Sequence, residues 1–178
     1  MQIEKYGLVL RKIEETDLEI IRQWRNADHI RLNMAHQDMI SRSQQKVWFE
    51  KLKEGKDFYF IFSKQEHAIG LVNVKDIDPQ TLSGETGVFT GDSEFLGCPE
   101  PVAAVITLMD YCFDQLGLQT LRAKINLESK IGLSFNQTLG YVQADEVKSG
   151  FAYFEVNQVQ YEKATAWIKK EFKQQEFT

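Results

Sequence analysis

The stretch from Glu85 to Gly117 constrains the fold of this chain most. It opens with a short β-rich run, Gly87-Val88-Phe89-Thr90, and continues through a connection bearing glycine and proline, Ser93 to Pro101. Apolar residues then recur at 102, 105, 106, 109, 112, 113 and 116. That spacing is the helical period, not the alternation of a strand. A strand that passes into a helix through a tight loop gathers free backbone N–H groups at the positive end of the helix dipole. Such a place suits an anionic group such as a pyrophosphate. A lone Gly-x-Pro is a short motif, and an ordinary connection is its plain alternative.

In chain order, Tyr6 to Ile13 reads as a first strand. Thr16-x-x-Glu19 reads as a capping box opening a helix through Leu18, Ile20, Ile21 and Trp24, closed by Trp24-Arg25-Asn26. Residues 27–40 read as a loop or loose helical turn, and Ser41-x-x-Gln44 as a second capping box for a helix ending at Gly55. Asp57–Ser63 and Ala68–Asp76 read as a hairpin, with turns at Asp78-Pro79 and Ser83-Gly84. Glu85–Thr90 is then the fourth strand, Gln119–Asn126 the fifth and Lys130–Thr138 a short helix. Tyr141–Val147 and Phe151–Val156 complete about seven strands around a turn at Lys148-Ser149-Gly150. Asn157-x-x-Gln160 resembles a cap for a last helix, with a C-terminal helix and tail over 158–178. The expectation is an α/β (α+β) domain spanning 1–178, with a single mixed, mostly antiparallel sheet and helices on both faces.

Composition narrows the function classes. A net charge of −5 leaves no basic footprint for nucleic acid. The longest apolar run, around Val102 to Met109, is too short to span a bilayer, and no signal-peptide pattern opens the chain. Cys98 and Cys112 form no CxxC and no metal spacing, and the three histidines lack a metal-motif partner. A reduced cytoplasmic protein without metal or membrane is the expectation.

Taken in order, several pieces resemble the GNAT superfamily of N-acyltransferases along nearly the whole chain. They are Leu10-Arg11, Trp24-Arg25-Asn26, Trp48-Phe49, Ile69-Gly70, Asp110-Tyr111-Cys112-Phe113 and Leu139-Gly140-Tyr141, where the family usually has Leu-Gly-Phe. They look most like two branches, one acetylating amino sugars on nucleotide carriers, the other acetylating protein N-termini, including ribosomal proteins. The resemblance implies acetyl-CoA, without a metal, in a cleft where the fourth and fifth strands splay. Val88, Phe89 and Thr90 would present their edge to the pantetheine, and Gly97, Cys98, Glu100 and Val102 would surround the phosphates. Ser129 would face them from the short helix, and Trp24, Arg25 and Asn26 would line the acceptor site.

The chain departs from the family pattern in two places. The phosphate loop, usually Gln/Arg-x-x-Gly-x-Gly/Ala, is Glu94-Phe95-Leu96-Gly97-Cys98-Pro99 here. Pro99 and Pro101 have no N–H to donate. In the gapless match of the short helix, Asn136 stands where relatives place a tyrosine that protonates the departing thiolate.

The chemistry itself requires a neutral amine, yet a typical α-amine has a pKa of about 7.7–8.0. A carboxylate near the cleft can take its proton, and Glu85 at the head of the fourth strand is the candidate base; an exposed strand-start carboxylate is its plain alternative. A backbone N–H near Phe89 or Thr90 is the candidate oxyanion donor. Three readings stand at this point. One is acetyl transfer to a small amine such as a nucleotide-linked amino sugar; the second is the same reaction on a peptide or protein N-terminus. The third is a catalytically degenerate binding or assembly module of the same shape. The terminal helix is free to cover a sheet edge or to meet a second subunit in a homodimer.

Overall fold

A computed structural model describes residues 1–144 and 149–175. The expected first strand over Tyr6–Ile13 proves to be half of a hairpin, in which Gln2–Lys5 (β1) pairs antiparallel with Leu8–Lys12 (β2). Tyr6 does not open a strand: Tyr6 and Gly7, at φ 55° and 70°, make the two-residue turn. Both angles have the sign that matches the twist of the flanking strands. The next capping box lies two residues earlier than Thr16 and Glu19, at Glu14 and Asp17. Asp17 accepts the Glu14 N–H at 2.7 Å, ahead of the helix Leu18–Asn26 (α1). Arg11 on β2 fixes that choice by holding the Asp17 carboxylate at 2.7 Å and 3.0 Å.

A short helix, Asp28–Arg31 (α2), precedes Arg42–Glu54 (α3), whose Ser41–Gln44 capping box forms as expected. Phe58–Lys64 (β3) and His67–Asp78 (β4) make the expected hairpin, and Ser83–Thr90 (β5) follows. Ser83-Gly84 is therefore not a turn: Ser83 pairs with Asp78 and Thr120, and Gly84 lies buried against Val74 and Leu118. After Glu100–Asp114 (α4) come Thr120–Asn126 (β6) and Lys130–Thr138 (α5). Of the strand expected over Tyr141–Val147, only Val142–Gln143 (β7) pairs, and its residues 145–147 lie outside the described residues, as does Lys148 of the expected turn. Phe151–Asn157 (β8) leads into Gln158–Gln175 (α6), capped by the expected Asn157–Gln160 pair.

The eight strands form one sheet in the order β1-β2-β3-β4-β5-β6-β8-β7, one more than the sequence implied. Every neighbouring pair is antiparallel except β5 and β6, which run parallel. One face carries α4 and α6 on a core that includes Leu10, Phe60, Val72, Ile106, Leu121 and Tyr161. The other carries α1 and α3 on a smaller cluster of Ile13, Ile21, Phe49, Ile61 and Leu71. Among the described residues, the larger core encloses one charged group, Asp110 on α4. Its carboxylate accepts from Lys5 at 2.5 Å, Lys169 at 2.7 Å and the Tyr161 hydroxyl at 2.6 Å, tying β1, α4 and α6 together. Among the described residues, no helix is long and apolar enough to cross a membrane.

Candidate active site

The site is built around the point where β5 leaves β6. The two strands pair only at Ser83–Thr120, Gly84–Leu121 and Glu85–Arg122, whereas β5 stays paired with β4 up to Thr90. The edge of β5 from Thr86 to Thr90 thus faces a gap in the sheet instead of a strand. Alternation along β5 divides its side chains between the two faces. Thr86, Val88 and Thr90 share the α4 face with Gly84; Glu85, Gly87 and Phe89 share the α1 face.

On the α4 face a groove of about 420 Å³ opens between α4 and α5, lined by Val102, Lys130, Ile131, Ser134, Phe135 and Leu139 among others. Ser129 stands at its edge as the cap of α5, accepting the Gly132 N–H at 3.1 Å. The Asn136 amide does not point toward the gap: it donates to the Gly132 carbonyl at 2.8 Å. Its backbone carbonyl accepts from Leu139 and Tyr141, both at 3.1 Å. Asn136 thus has a local structural task at the end of α5. The Tyr141 hydroxyl, fully buried, comes within 2.6 Å of Thr86 Oγ1, next to the last β5–β6 pair. Burial pushes the Tyr141 phenol well up, so it stays protonated.

The loop from Gly91 to Pro99 closes the end of β5. Gly97 takes φ 80°, a left-handed value glycine adopts without strain. Cys98 is half-buried, with its thiol 3.6 Å from the Glu94 carbonyl. Prolines at 99 and 101 leave Glu100 and Val102 as the N–H donors of the first turn, and the Glu100 carboxylate takes its own amide. The hairpin tip of β3 and β4, which sequence reasoning did not connect to this loop, braces it from outside. Lys64 pairs with Glu100 at 2.8 Å; His67 meets Asp92 at 2.6 Å and stacks on Phe95 at 5.6 Å.

On the α1 face, Glu85 is largely buried and ion-paired with Lys75 on β4 at 2.9 Å. Burial opposes the charge on Lys75, but the carboxylates of Asp76 and Glu85 outweigh it and hold its pKa above the ordinary lysine range. Trp24 packs edge-on against Phe89 and lies across Gly91, where an added Cβ would come 2.2 Å from the indole. Only glycine admits that approach. The Phe89 ring packs toward α1 and its carbonyl points to Gly70 on β4, so the backbone groups facing the gap are those of Val88 and Thr90 and not of Phe89. Asn26 uses both ends of its amide on Ile40, at 2.7 Å and 2.9 Å, and pins the segment that follows α2. Arg25 lies on the sheet-facing stripe of α1 with Leu18 and Ile21, near Tyr59, whose phenol is pushed up to about 12, chiefly by burial. Of the sequence-chosen residues, the structure brings Glu85, Phe89, Trp24 and Arg25 to one face and Val102 and Ser129 to the other. It gives Asn26 and Asn136 hydrogen bonds that serve the scaffold.

Comparisons agree with this geometry. Residues 7–131 match the family model described as an acetyltransferase (GNAT) domain. No curated protein matches the chain in sequence. Among solved structures, a nucleotide-linked sugar GNAT, FdhC in its apo form, aligns with TM-score 0.80 at 19% identity, covering 94% of this chain and 96% of that one. Spermidine N-acetyltransferase from Vibrio cholerae, solved with CoA and spermine, aligns with TM-score 0.79 at 20% identity, covering 88% and 99%. A domain from Methanocaldococcus jannaschii aligns with TM-score 0.75 at 19% identity, covering 84% and 97%.

Proposed function

The chain belongs to the GNAT acetyltransferase family, and we propose that it moves an acetyl group from acetyl-CoA to a primary amine on a small molecule, with the two substrates approaching from opposite faces of the sheet. One observation carries this reading: β5 parts from β6 just after Glu85, with a groove on the α4 face and Glu85 on the other.

The residues present fit the co-substrate. The free edge at Val88 and Thr90 offers backbone donors and acceptors to an extended amide chain, as a missing strand would. The groove between α4 and α5 has apolar walls and one cation, Lys130, for a phosphate-bearing tail. Gly97, Cys98, Glu100 and Val102 form the turn at its end. Acetyl-CoA supplies an activated acyl group; the chain has to place the amine, take its proton and exclude water. Glu85 is the proton acceptor, with Lys75 holding its carboxylate in place. A backbone N–H beside Phe89 that faces the gap, that of Val88 or Thr90, is the donor to the acyl oxygen. Asn136, with its amide turned into α5, takes no part in protonating the leaving thiolate. That thiolate, with a pKa of about 8.5, is a tolerable leaving group without an acid.

Calorimetry and thermal unfolding with acetyl-CoA test the first half, because a ligand that binds only the folded state raises the melting temperature by mass action. A thiol-release screen over amino sugars, peptides and polyamines tests the second. Binding without release on any amine would favour the degenerate module, a reading that Pro99, Pro101 and the engaged Asn136 support. Absence of binding at millimolar acetyl-CoA would remove the enzyme reading.

A further inference from the structure

We infer that Arg25 receives an anionic group, phosphate or carboxylate, carried by the acceptor, so that the substrate is an anionic amine and not a polyamine. The inference rests on the acetyl-transfer reading above and names the substrate class of the same site.

The chain has six arginines: Arg11, Arg22, Arg25, Arg31, Arg42 and Arg122. Five have a carboxylate partner: Arg11 with Asp17, Arg22 and Arg42 with Glu19, Arg31 with Asp28, and Arg122 with Glu155. Among the described residues Arg25 has no such partner, nor an aromatic ring beneath its guanidinium, and its buried Nη1 has no hydrogen-bond partner. Burial lowers the Arg25 pKa, only partly opposed by Tyr59. Arg25 is half-buried, and a guanidinium with one nitrogen shut off from water and no counter-charge is costly, a cost that an incoming anion would offset.

Its position says which ligand. Arg25 follows Leu18 and Ile21 on the stripe of α1 that faces the sheet, above Tyr59 on β3. Tyr59 is the register partner of Asn73 on β4, and Asn73 of Gly87 on β5. Gly87 lies between Glu85 and Phe89 on the acceptor face. The unpaired guanidinium and the proposed base thus occupy one face, separated by a row whose last member has no side chain. An amine reaching Glu85 extends its remaining bulk along this row toward Arg25. A planar guanidinium binds phosphate or carboxylate through two parallel hydrogen bonds. A polyamine would instead bring a second cation to a half-buried cation without a counter-charge.

The test is thiol release with paired acceptors. A UDP-linked amino sugar against the same sugar free reads phosphate, a dipeptide against its C-terminal amide reads carboxylate, and spermidine reads the cationic class. The anionic member of one pair should exceed its uncharged partner in kcat/KM by roughly 10–100-fold, carried by KM, the worth of a charge-assisted contact. In Arg25→Met that ratio should collapse to within about threefold, and Arg25→Lys should retain part of it. If Arg25→Met does not fold, the ratio in Arg25→Lys decides alone. Calorimetric binding of UDP and inorganic phosphate supplies a readout free of turnover: detectable binding of at least one in the wild type, lost in Arg25→Met. Spermidine or the uncharged partners matching the anionic amines, or a ratio unchanged in the variants, overturns the inference while acetyl transfer stands. Anion binding lost with Arg25 but no release on any amine upholds the anion site and removes the acetyl-transfer reading. Neither anion binding nor an anionic preference overturns the inference outright.

Discussion

The Tyr141 hydroxyl meets Thr86 Oγ1 at 2.6 Å at the place where β5 stops pairing with β6. Thr86 also reaches the Arg122 carbonyl at 3.3 Å, so three elements converge on one hydroxyl. The contact holds the two parting strands at a fixed separation from the core side. Tyr141→Phe removes one buried hydrogen bond and should cost about 1 kcal/mol. Urea unfolding of wild type and variant measures it, and an unchanged midpoint would show that the contact does not tie the strands.

Replacing Glu85 by Gln keeps its shape and removes the proposed base. Turnover should fall roughly 10²-fold near neutral pH. The deficit should shrink as pH rises above the amine's own pKa of about 8, because the amine then arrives neutral. A pH–rate profile of both enzymes separates this from a packing effect, which would lower the curve equally at every pH. Full activity of the variant at neutral pH would reduce Glu85 to the ion-pair partner of Lys75.

For Asn136→Ala the expectation is the opposite. Its amide serves the Gly132 carbonyl, and the backbone carbonyl that holds Leu139 and Tyr141 survives the substitution. Turnover should stay within a few-fold, with a stability change of about 1 kcal/mol or less. Loss of turnover with folding and acetyl-CoA binding intact would give Asn136 a direct part in the chemistry.

Asp110 sets an acid limit on stability. Burial works to raise its pKa, but hydrogen bonds from Lys169, Lys5 and Tyr161 outweigh that and hold it below the ordinary carboxylate range. A carboxyl depressed in the folded state contributes fully above its unfolded value of about 3.9 and loses that contribution as pH falls through the folded value. Asp110→Asn should destabilise the protein by about 2–4 kcal/mol at neutral pH, the lower part reflecting the partial exposure of Lys5. The variant should also lose less stability than wild type on acidification below about pH 4. Thermal unfolding from pH 7 to pH 3 checks both, and parallel curves would mean that Asp110 is not the titrating group.

Elements with a strong period were legible in the sequence. The apolar spacing of 102 to 116 gave α4, and the FYFIF run gave β3. Gln2–Lys5 was not, because an edge strand of four residues with one apolar side chain, Ile3, is too short to show its alternation in the sequence. β7 is two residues long, too short for any period. At the candidate site, Glu85 and Trp24 were chosen by type and position, but their partners come from register and packing. Lys75 meets Glu85 only because β4 and β5 pair in one particular alignment, and Trp24 needs Gly91 sixty-seven positions away. Arg25, in the middle of Trp24-Arg25-Asn26 at the end of its helix, is of a residue type that sits as readily in solvent as inside. The stripe through Leu18 and Ile21 was the available sign that it turns inward.

The brace between Lys64, His67 and the loop before α4 places control of that loop in a surface turn. Gln65 and Glu66, at φ 49° and 66°, hold Lys64 and His67 opposite each other, and these two residues grip Glu100 and Asp92. One residue added to the turn would slide His67 off Asp92 and loosen the loop without altering any residue that lines the groove. The shape of the loop can therefore drift during evolution through a hairpin tip that lies outside the groove, leaving the groove's own residues as they are.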